Sequence, residues 1–225
     1  LIAASHVDLL IRESFTSELA SMSAGDFVQK TLVNRLKVKH LVVGYDYAFG
    51  RGREGDGGFL KKQGETYGFG VDVLQPIGAD GHPYSSTGIR KLIAAGEVRD
   101  VVDLLGRHYT FEGRVVPGEQ RGRKLGFPTA NLVTEKEQLP ADGVYAVKVR
   151  YREQEYGGVV NIGRRPTFGN GNVTIEVHLL DFTGDLYGEI LRLYFVERLR
   201  GEQSFSGPPE LKMAIERDIL LSRQL

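Results

Sequence analysis

A glycine-rich basic segment, GEQRGRKLGFPTAN, runs from Gly118 to Asn131. Glycine lets a bound group approach the main chain, and successive backbone N–H groups in such a loop form a concave anion site. The residues that we predict to bind the anion, a phosphate group, are Gly118, Gly122, Arg123, Lys124 and Gly126. The alternative is a hairpin turn whose cations are only solvated. No G-x-x-x-x-G-K-[ST] pattern occurs, so this is not a Walker A loop.

Two small polar side chains, Thr129 and Asn131, follow Pro128 with one residue between them. In a strand, that spacing puts both side chains on one face. A hydroxyl and an amide oxygen are hard, neutral ligands, which suit a Mg²⁺ ion that takes its negative ligands from the phosphates of a nucleotide. We therefore predict a magnesium site at these two residues.

Glu176 is the acid best suited to proton transfer. It stands within the strand-like run Thr174–Asp181, where an acid is disfavoured unless it faces water or a site. A carboxylate at the mouth of a barrel can accept the proton of an alcohol as a general base. The alternative is a solvent-facing strand position. His178 shares the face of Glu176 and is a weaker candidate, for a structural or nucleotide contact.

Two further stretches contain charged residues beside an aromatic or a turn-forming residue. VVNIGRRPTFG offers Asn161 for a turn, with Arg164 and Arg165 available to anions. RLRGEQSF is a predicted loop that could clamp a flat heterocycle, although ordinary loop residues would have the same composition. The residues that we predict to bind the ring are Arg200, Glu202 and Phe205.

The composition excludes several classes of protein. The 225 residues are 41% apolar and 26% charged, which is ordinary for a globular chain of one large or two small domains. The 29 basic and 29 acidic residues cancel, so no net field attracts nucleic acid or an anionic membrane. The chain has no cysteine and no apolar run of membrane-spanning length. We expect a cytoplasmic protein, and a homo-oligomer is compatible with the sequence.

Residues 1–105 read as an α/β domain. Predicted strands cover 7–11, 40–44 and 69–74, and predicted helices follow Ser23, cover 58–67, start at Ser85 and cover 98–105. The strand 40–44 opens into a glycine-rich polar loop, and open α/β sheets bind ligands at the carboxyl ends of their strands. The hydroxyl-rich start of the helix at Ser85 can bind phosphate, although such residues are more often only caps.

Residues 106–225 show short strands separated by turns, a rhythm typical of an antiparallel barrel. The predicted strands cover 109–116, 129–132, 143–151, 156–162, 174–181 and 190–199. A final amphipathic helix, Pro209–Leu221, carries Leu211, Ile215 and Ile219 along one face.

These stretches resemble a known family, the bacterial bifunctional riboflavin kinase/FMN adenylyltransferases, or FAD synthetases. Residues 106–207 resemble the kinase domain through GRVVPGEQRGRKLGFPTANL, LPADGVYAVKV, GVVNIGRRPTFG, TIEVHLLDFTGDLYG and FVERLRGEQSF, in the order of the family. The first half resembles the adenylyltransferase domain through HLVVGYDYAFGRGREGD and SSTGIR.

The resemblance implies a fold and two reactions. The fold would be a partial Rossmann-like nucleotidyltransferase domain over residues 1–105, then a six-stranded Greek-key β-barrel with a C-terminal helix over 106–225. The barrel would move the γ-phosphate of ATP to the ribityl 5′-hydroxyl of riboflavin, with Thr129 and Asn131 holding Mg²⁺–ATP and Glu176 as the base. The first domain would adenylylate FMN through Gly44, Asp46, Phe49, Gly50, Arg53, Gly55, Asp56, Ser85, Ser86, Thr87 and Arg90.

One family motif has no match here. Members open with a G-x-F-D-x-x-H-x-G-H type motif, whereas His6 stands in SHVD without a second histidine nearby. The resemblance implies that a first strand, loop and helix are removed or disordered, or else that the chain is naturally truncated; we favour the former. We expect adenylyl transfer from the intact protein and not from the chain as given. The competing hypothesis is a catalytically silent flavin- or nucleotide-binding barrel; balanced charge disfavours a nucleic-acid-binding barrel.

Overall fold

The computed structural model describes residues 6–79, 82–118, 122, 125–164 and 173–225. The chain forms two compact units, Leu1–Pro83 and Tyr84–Leu225. The domain boundary that the sequence suggests between residues 105 and 106 stays a prediction. Within the described ranges, no helix has both the length and the apolar character needed to cross a lipid bilayer.

The first unit contains a small parallel sheet and its covering helices. Its elements are α1 (Ser17–Ser21), α2 (Ala24–Asp26, continued by a π-helix over Phe27–Arg35), β1 (His40–Gly44), β2 (Ala48–Phe49), β3 (Gly55–Asp56), α3 (Gly57–Tyr67), β4 (Gly70–Leu74), β5 (Gly78–Ala79) and β6 (His82–Pro83). β1 pairs in parallel with β4, and the pairs β2–β3 and β5–β6 are antiparallel. The buried core consists of Val28, Leu32, Leu60 and Phe69.

Two local predictions for this unit have opposite outcomes. The hydroxyl of Ser23 accepts a hydrogen bond from the Asp26 backbone N–H at 3.1 Å, so the predicted cap is confirmed. The apolar run Val7–Ile11 is not a strand, so that prediction is wrong. The Leu9 side chain is 73% exposed, and no strand in the described residues pairs with this run. Without a partner strand, the backbone groups of this exposed segment face water, and no strand ladder holds the segment extended.

The second unit begins with two helices and continues into a closed antiparallel barrel. Its elements are α4 (Ser86–Ala95), α5 (Asp100–Leu105), β7 (Tyr109–Val116), β8 (Ala130–Val133), β9 (Gly143–Tyr151), β10 (Gln154–Arg164), β11 (Val173–Leu179), β12 (Ile190–Arg200) and α6 (Pro208–Ser222). The strand order around the barrel is β10-β11-β8-β7-β12-β9. The predicted six-stranded barrel and C-terminal helix are confirmed.

The interior of the barrel follows from alternation along its strands. In β12, Leu191, Leu193 and Phe195 are fully buried while the intervening residues reach the surface. The Phe195 ring packs against Tyr109 and Tyr145 at centroid distances of 5.9 and 5.5 Å. Burial raises the pKa of each tyrosine to about 12, so both hydroxyls stay neutral donors. Ile93, Val98 and Val101 of the α4–α5 region belong to the same core.

Helix α6 is attached to the barrel at its C-terminal end. It starts with Pro208 and Pro209, which a first helical turn tolerates because its N–H groups have no helical acceptor. The Ser222 hydroxyl donates to the Gly158 carbonyl at 3.0 Å. Arg223 forms two hydrogen bonds to the Asp181 carboxylate, at 2.8 and 2.7 Å. The helix is therefore a fixed wall beside the barrel.

Candidate active site

A cavity of about 570 Å³ lies between the barrel and α6. Thr129, Asn131 and Glu176, which the sequence predicts to form one site, all line this cavity. The predicted ring-binding residues Arg200, Glu202 and Phe205 line it as well. The structure thus brings together residues from distant parts of the second unit.

Three polar side chains stand in a row across neighbouring strands. Glu176 on β11 pairs with Asn131 on β8 on one side and with Asn161 on β10 on the other. Residues directly opposite each other in antiparallel strands project to the same face. A carboxylate and two amides therefore meet at the wall of the cavity, and all three side chains are half-buried.

The main chain of the glycine-rich segment lies close to the predicted magnesium ligands. A Cβ atom on Gly118 would stand 2.0 Å from the Asn131 Nδ2 atom. A Cβ on Gly122 would stand 2.4 Å from the Phe127 carbonyl oxygen and 3.2 Å from the Thr129 Oγ1 atom. Only glycine fits these two positions without displacing a neighbour. Gly126 has a φ of 91° in the left-handed region.

Some of the predicted cations fall outside the described residues. These are Arg123, Lys124 and Arg165, together with the side chain of Arg164. Their proposed contacts with anions stay predictions.

His178 attaches β11 to the segment that carries Thr129. Its Nδ1 atom lies 2.8 Å from the Pro128 carbonyl oxygen, which requires a proton on Nδ1 as donor. The Phe127 ring meets the imidazole edge-to-face at 6.0 Å. His178 therefore has a structural contact and also lines the cavity, which leaves both predicted roles open.

Arg200 is held by a carboxylate on α6. Its Nε and Nη2 atoms donate to the Asp218 Oδ2 atom at 3.0 and 2.8 Å. The two side chains are only 18% and 5% exposed, so the pair is largely removed from water. The guanidinium lies over the Phe205 ring, with its Cζ 5.5 Å from the ring centroid. Removing one partner would leave a buried charge without compensation, at a cost of about 3–5 kcal/mol.

Glu202 lies against β10. A Cβ atom on Gly163 would stand 2.3 Å from the Glu202 Oε1 atom, so the strand leaves room for this carboxylate. The loop 201–205 therefore contacts the barrel strand that carries Asn161.

A second cavity, of about 540 Å³, lies next to the first. Thr129 lines both cavities. The second is lined mainly by apolar and small side chains, which include Val115, Ala130, Leu179, Phe182, Leu186 and Tyr187. The Phe182 ring packs edge-on against Tyr156 at 5.3 Å. The two cavities thus meet at one residue.

Family comparisons identify the two halves. Residues 105–225 match the family model Flavokinase (riboflavin kinase), and residues 1–88 match FAD_syn (FAD synthetase). The bifunctional riboflavin kinase/FMN adenylyltransferase of Pseudomonas fluorescens is 43% identical over 97% of this chain and 71% of its own length. Its counterpart in Escherichia coli K12 is 41% identical over 97% of this chain and 70% of its own length. This chain belongs to that family.

The predicted family, enzyme class and fold class are therefore confirmed. A crystal structure named as a macrolide-efflux protein from Streptococcus pneumoniae superposes with a TM-score of 0.86 at 33% identity, over 94% of this chain and 68% of that one. That name refers to the other protein, and the superposition supports the shared fold.

The FAD synthetase half contains most of the predicted adenylyltransferase residues. Gly44 ends β1, and a Cβ there would stand 3.2 Å from the Asp46 Oδ1 atom. Phe49 on β2 pairs with Gly55 on β3, and its ring stacks on Tyr47 at 5.5 Å. The remaining residues of this set in the first unit are Gly50, Arg53 and Asp56.

Several of these residues have structural roles that are independent of any ligand. Gly50 has a φ of 74°, and a Cβ there would stand 2.7 Å from the Ala24 backbone nitrogen. Asp56 caps α3 by accepting a hydrogen bond from the Phe59 N–H at 2.7 Å. Arg53 has a φ of 62°, in the left-handed region.

The remaining members of the set lie in the second unit, at the start of α4. Ser85 caps that helix, since its hydroxyl accepts a hydrogen bond from the Gly88 N–H at 3.0 Å. Ser86 and Thr87 lie exposed in its first turn, and Arg90 lies in the next. The capping role is confirmed; phosphate binding stays a prediction.

Sequence reasoning missed the apolar wall and the anchor of Arg200. Leu211, Ile215, Asp218 and Ile219 on α6 line the first cavity. Their helical spacing identified an apolar face but not what that face covers. The sequence signal for an ionic partner is an aspartate, Asp218, on an otherwise apolar helix face.

Proposed function

We propose that the barrel of this chain phosphorylates riboflavin to FMN with ATP. The observation that carries this proposal is the cavity that holds Thr129, Asn131 and Glu176 beside an apolar wall. Its volume of about 570 Å³ is within the usual range for a small-molecule site. The similarity to riboflavin kinases indicates that the substrate is riboflavin.

Glu176 is the general base of this reaction. Its carboxylate accepts the proton of the ribityl 5′-hydroxyl as the oxygen forms a bond to the γ-phosphorus of ATP. The bond from that phosphorus to the bridging oxygen breaks, and ADP leaves. Positioning and charge neutralisation supply most of the rate in such transfers.

Thr129 and Asn131 are the residues that would hold Mg²⁺ in this scheme. The donor set is a hydroxyl and an amide oxygen beside the carboxylate that pairs with Asn131, and such hard oxygens suit this ion. When bound, the ion neutralises charge on the phosphates. The described residues contain no cluster of three or more His, Cys, Asp or Glu for a metal, so the phosphates would complete the ligand set.

The flavin ring and the adenine occupy different cavities. The ring lies between the apolar face of α6 and the Arg200–Phe205 stack, because a flat apolar heterocycle favours such walls. The adenine lies in the second cavity, and the triphosphate crosses Thr129 to reach the first. Thr129 makes this arrangement continuous, because it lines both cavities.

The first unit belongs to the second activity of this family, which is adenylylation of FMN to FAD. Its match to the FAD synthetase model supports this assignment. The balanced charge and the lack of cysteine support a cytoplasmic enzyme that acts on small molecules without a nucleic-acid or membrane partner.

The test combines a product assay with a binding assay. The chain is incubated with riboflavin, ATP and MgCl₂, FMN is measured by chromatography, and the riboflavin Kd is measured by fluorescence quenching. We expect Glu176→Gln to lower kcat by about 10²–10⁴-fold with little change in Kd. Glu153→Gln, in an exposed turn, is the matched control and should keep the wild-type rate.

Two outcomes would contradict the scheme. Unchanged turnover in Glu176→Gln would remove that residue from the base role. Riboflavin binding by the wild type without FMN formation would favour the silent binding barrel.

A further inference from the structure

The Arg200–Asp218 ion pair joins the two walls of the first cavity. Arg200 ends β12, just before the loop 201–205, and Asp218 lies on α6. Both residues line the cavity, and so does Phe205, which stacks beneath the guanidinium. The pair therefore fixes the loop, the aromatic ring and the helix with one set of contacts.

The hydrogen bonding leaves little freedom to this arginine. Nε and Nη2 bind the Asp218 carboxylate, and Nη1 donates to the Gly201 carbonyl at 3.3 Å. A two-point contact between a guanidinium and a carboxylate fixes the plane as well as the position of the arginine. The plane of Arg200 in turn sets the surface that a ligand ring meets.

We propose that Asp218 is a positioning residue for the flavin, and that it acts through Arg200. Its carboxylate holds the guanidinium against Phe205, so the ring-binding wall is formed before the flavin arrives. Preorganisation of this kind improves affinity because less side-chain freedom is lost on binding. The proposal rests on the proposed riboflavin kinase function for the identity of the ligand.

The chain contains a second two-point ion pair that serves as a control, although it is more exposed to water. Asp181 and Arg223 also form a two-point ion pair that attaches the α6 end of the chain to the barrel, at 2.8 and 2.7 Å. Neither residue lines the first cavity. Asp181→Asn therefore loosens the same attachment without touching the proposed flavin wall.

The test measures the riboflavin Kd by fluorescence quenching, and the KM values for riboflavin and for ATP. We expect Asp218→Asn to raise the riboflavin Kd and KM on the order of tenfold, with the ATP KM unchanged. Asp181→Asn should leave both riboflavin constants within about twofold of the wild type. A riboflavin Kd that rises no more in Asp218→Asn than in Asp181→Asn would overturn the proposal.

A double-mutant cycle tests whether Asp218 acts through Arg200. Arg200→Lys keeps the charge but loses the two-point geometry. The double variant Arg200→Lys/Asp218→Asn should bind riboflavin no more weakly than the weaker single variant. If the effects of the two single substitutions on the riboflavin Kd multiply in the double variant, the two residues contribute independently, and the proposal is contradicted.

Two further measurements keep the test decisive. If Asp218→Asn does not fold, Asp218→Glu replaces it, since it keeps the charge and moves it by one methylene. An unchanged riboflavin Kd in Asp218→Glu, with Arg200→Lys also unchanged, would overturn the proposal. If the wild type binds riboflavin but makes no FMN, the kinase function fails while the Kd comparison still decides the role of Asp218.

Discussion

Substitution of Gly118 by alanine tests the proposed magnesium site without removing a ligand. The new Cβ atom would stand 2.0 Å from the Asn131 Nδ2 atom and 2.4 Å from its Cγ atom. Carbon atoms in good contact lie about 3.5–4.0 Å from their neighbours. The amide must therefore retreat by roughly 1.5 Å, or the backbone at residue 118 must move by a similar distance.

A movement of this size is large on the scale of catalysis. A misplacement of about 1 Å can reduce a rate by about 10²-fold. We expect Gly118→Ala to lower kcat/KM for Mg²⁺–ATP by about 10²-fold, with a small change in the riboflavin Kd. The effect should weaken as the Mg²⁺ concentration rises, because a displaced ligand lowers metal affinity.

The assay is the rate of FMN formation at varied MgCl₂ and at varied ATP. Gly25→Ala is the control, since a Cβ at Gly25 has no atom within 4 Å and the residue lies in the other unit. A wild-type Mg²⁺ dependence in Gly118→Ala would refute the clash argument.

The double variant Gly118→Ala/Asn131→Ala tests whether the loss of activity in Gly118→Ala arises from displacement of the Asn131 amide. Once the amide is gone, the methyl group on residue 118 has nothing to displace, so the second substitution should add little to the loss in Asn131→Ala. A further large loss would show that the glycine acts on something other than Asn131.

Three other perturbations have defined outcomes. Arg223 hydrogen-bonds Asp181 and lowers the pKa of that carboxyl, so the stabilisation is present above the ordinary pKa of 3.8 and is lost in acid. The Tm gap between the wild type and Asp181→Asn should therefore be widest near neutral pH and close as the pH falls. Asp56→Ala should destabilise the first unit by about 1 kcal/mol in urea unfolding, because the Phe59 N–H loses its cap. Phe182→Leu should raise the ATP KM several-fold and leave the riboflavin KM unchanged; equal changes in both would contradict the adenine assignment.

The barrel could be predicted because apolar and polar residues alternate along its strands, as they must when one face of a strand is buried. In the first half of β12, Leu191, Leu193 and Phe195 alternate with Arg192 and Tyr194, and the structure buries the three apolar side chains. The helix caps at Ser23 and Ser85 were equally readable, since a hydroxyl before a helix has one common use. The grouping of Thr129, Asn131 and Glu176 was expected, and all three line one cavity.

Other features depend on contacts that no local pattern records. The run Val7–Ile11 has strand composition, but composition does not supply a partner strand. The apolar spacing on α6 indicated packing, whereas Leu211 and Ile215 also line a cavity. The pairing of Arg200 with Asp218 joins two elements whose relative position only the tertiary fold determines.

The short strand β8 has a consequence for how the chain acquires activity. It joins β7 to β11, and its pairing with β11 brings Asn131 beside Glu176 from a distant part of the sequence. Pairings between distant segments form late, because the intervening chain must first lose its freedom. During refolding from denaturant, recovery of catalysis should therefore coincide with formation of the β8–β11 pairing. It should lag behind the formation of the first secondary structure.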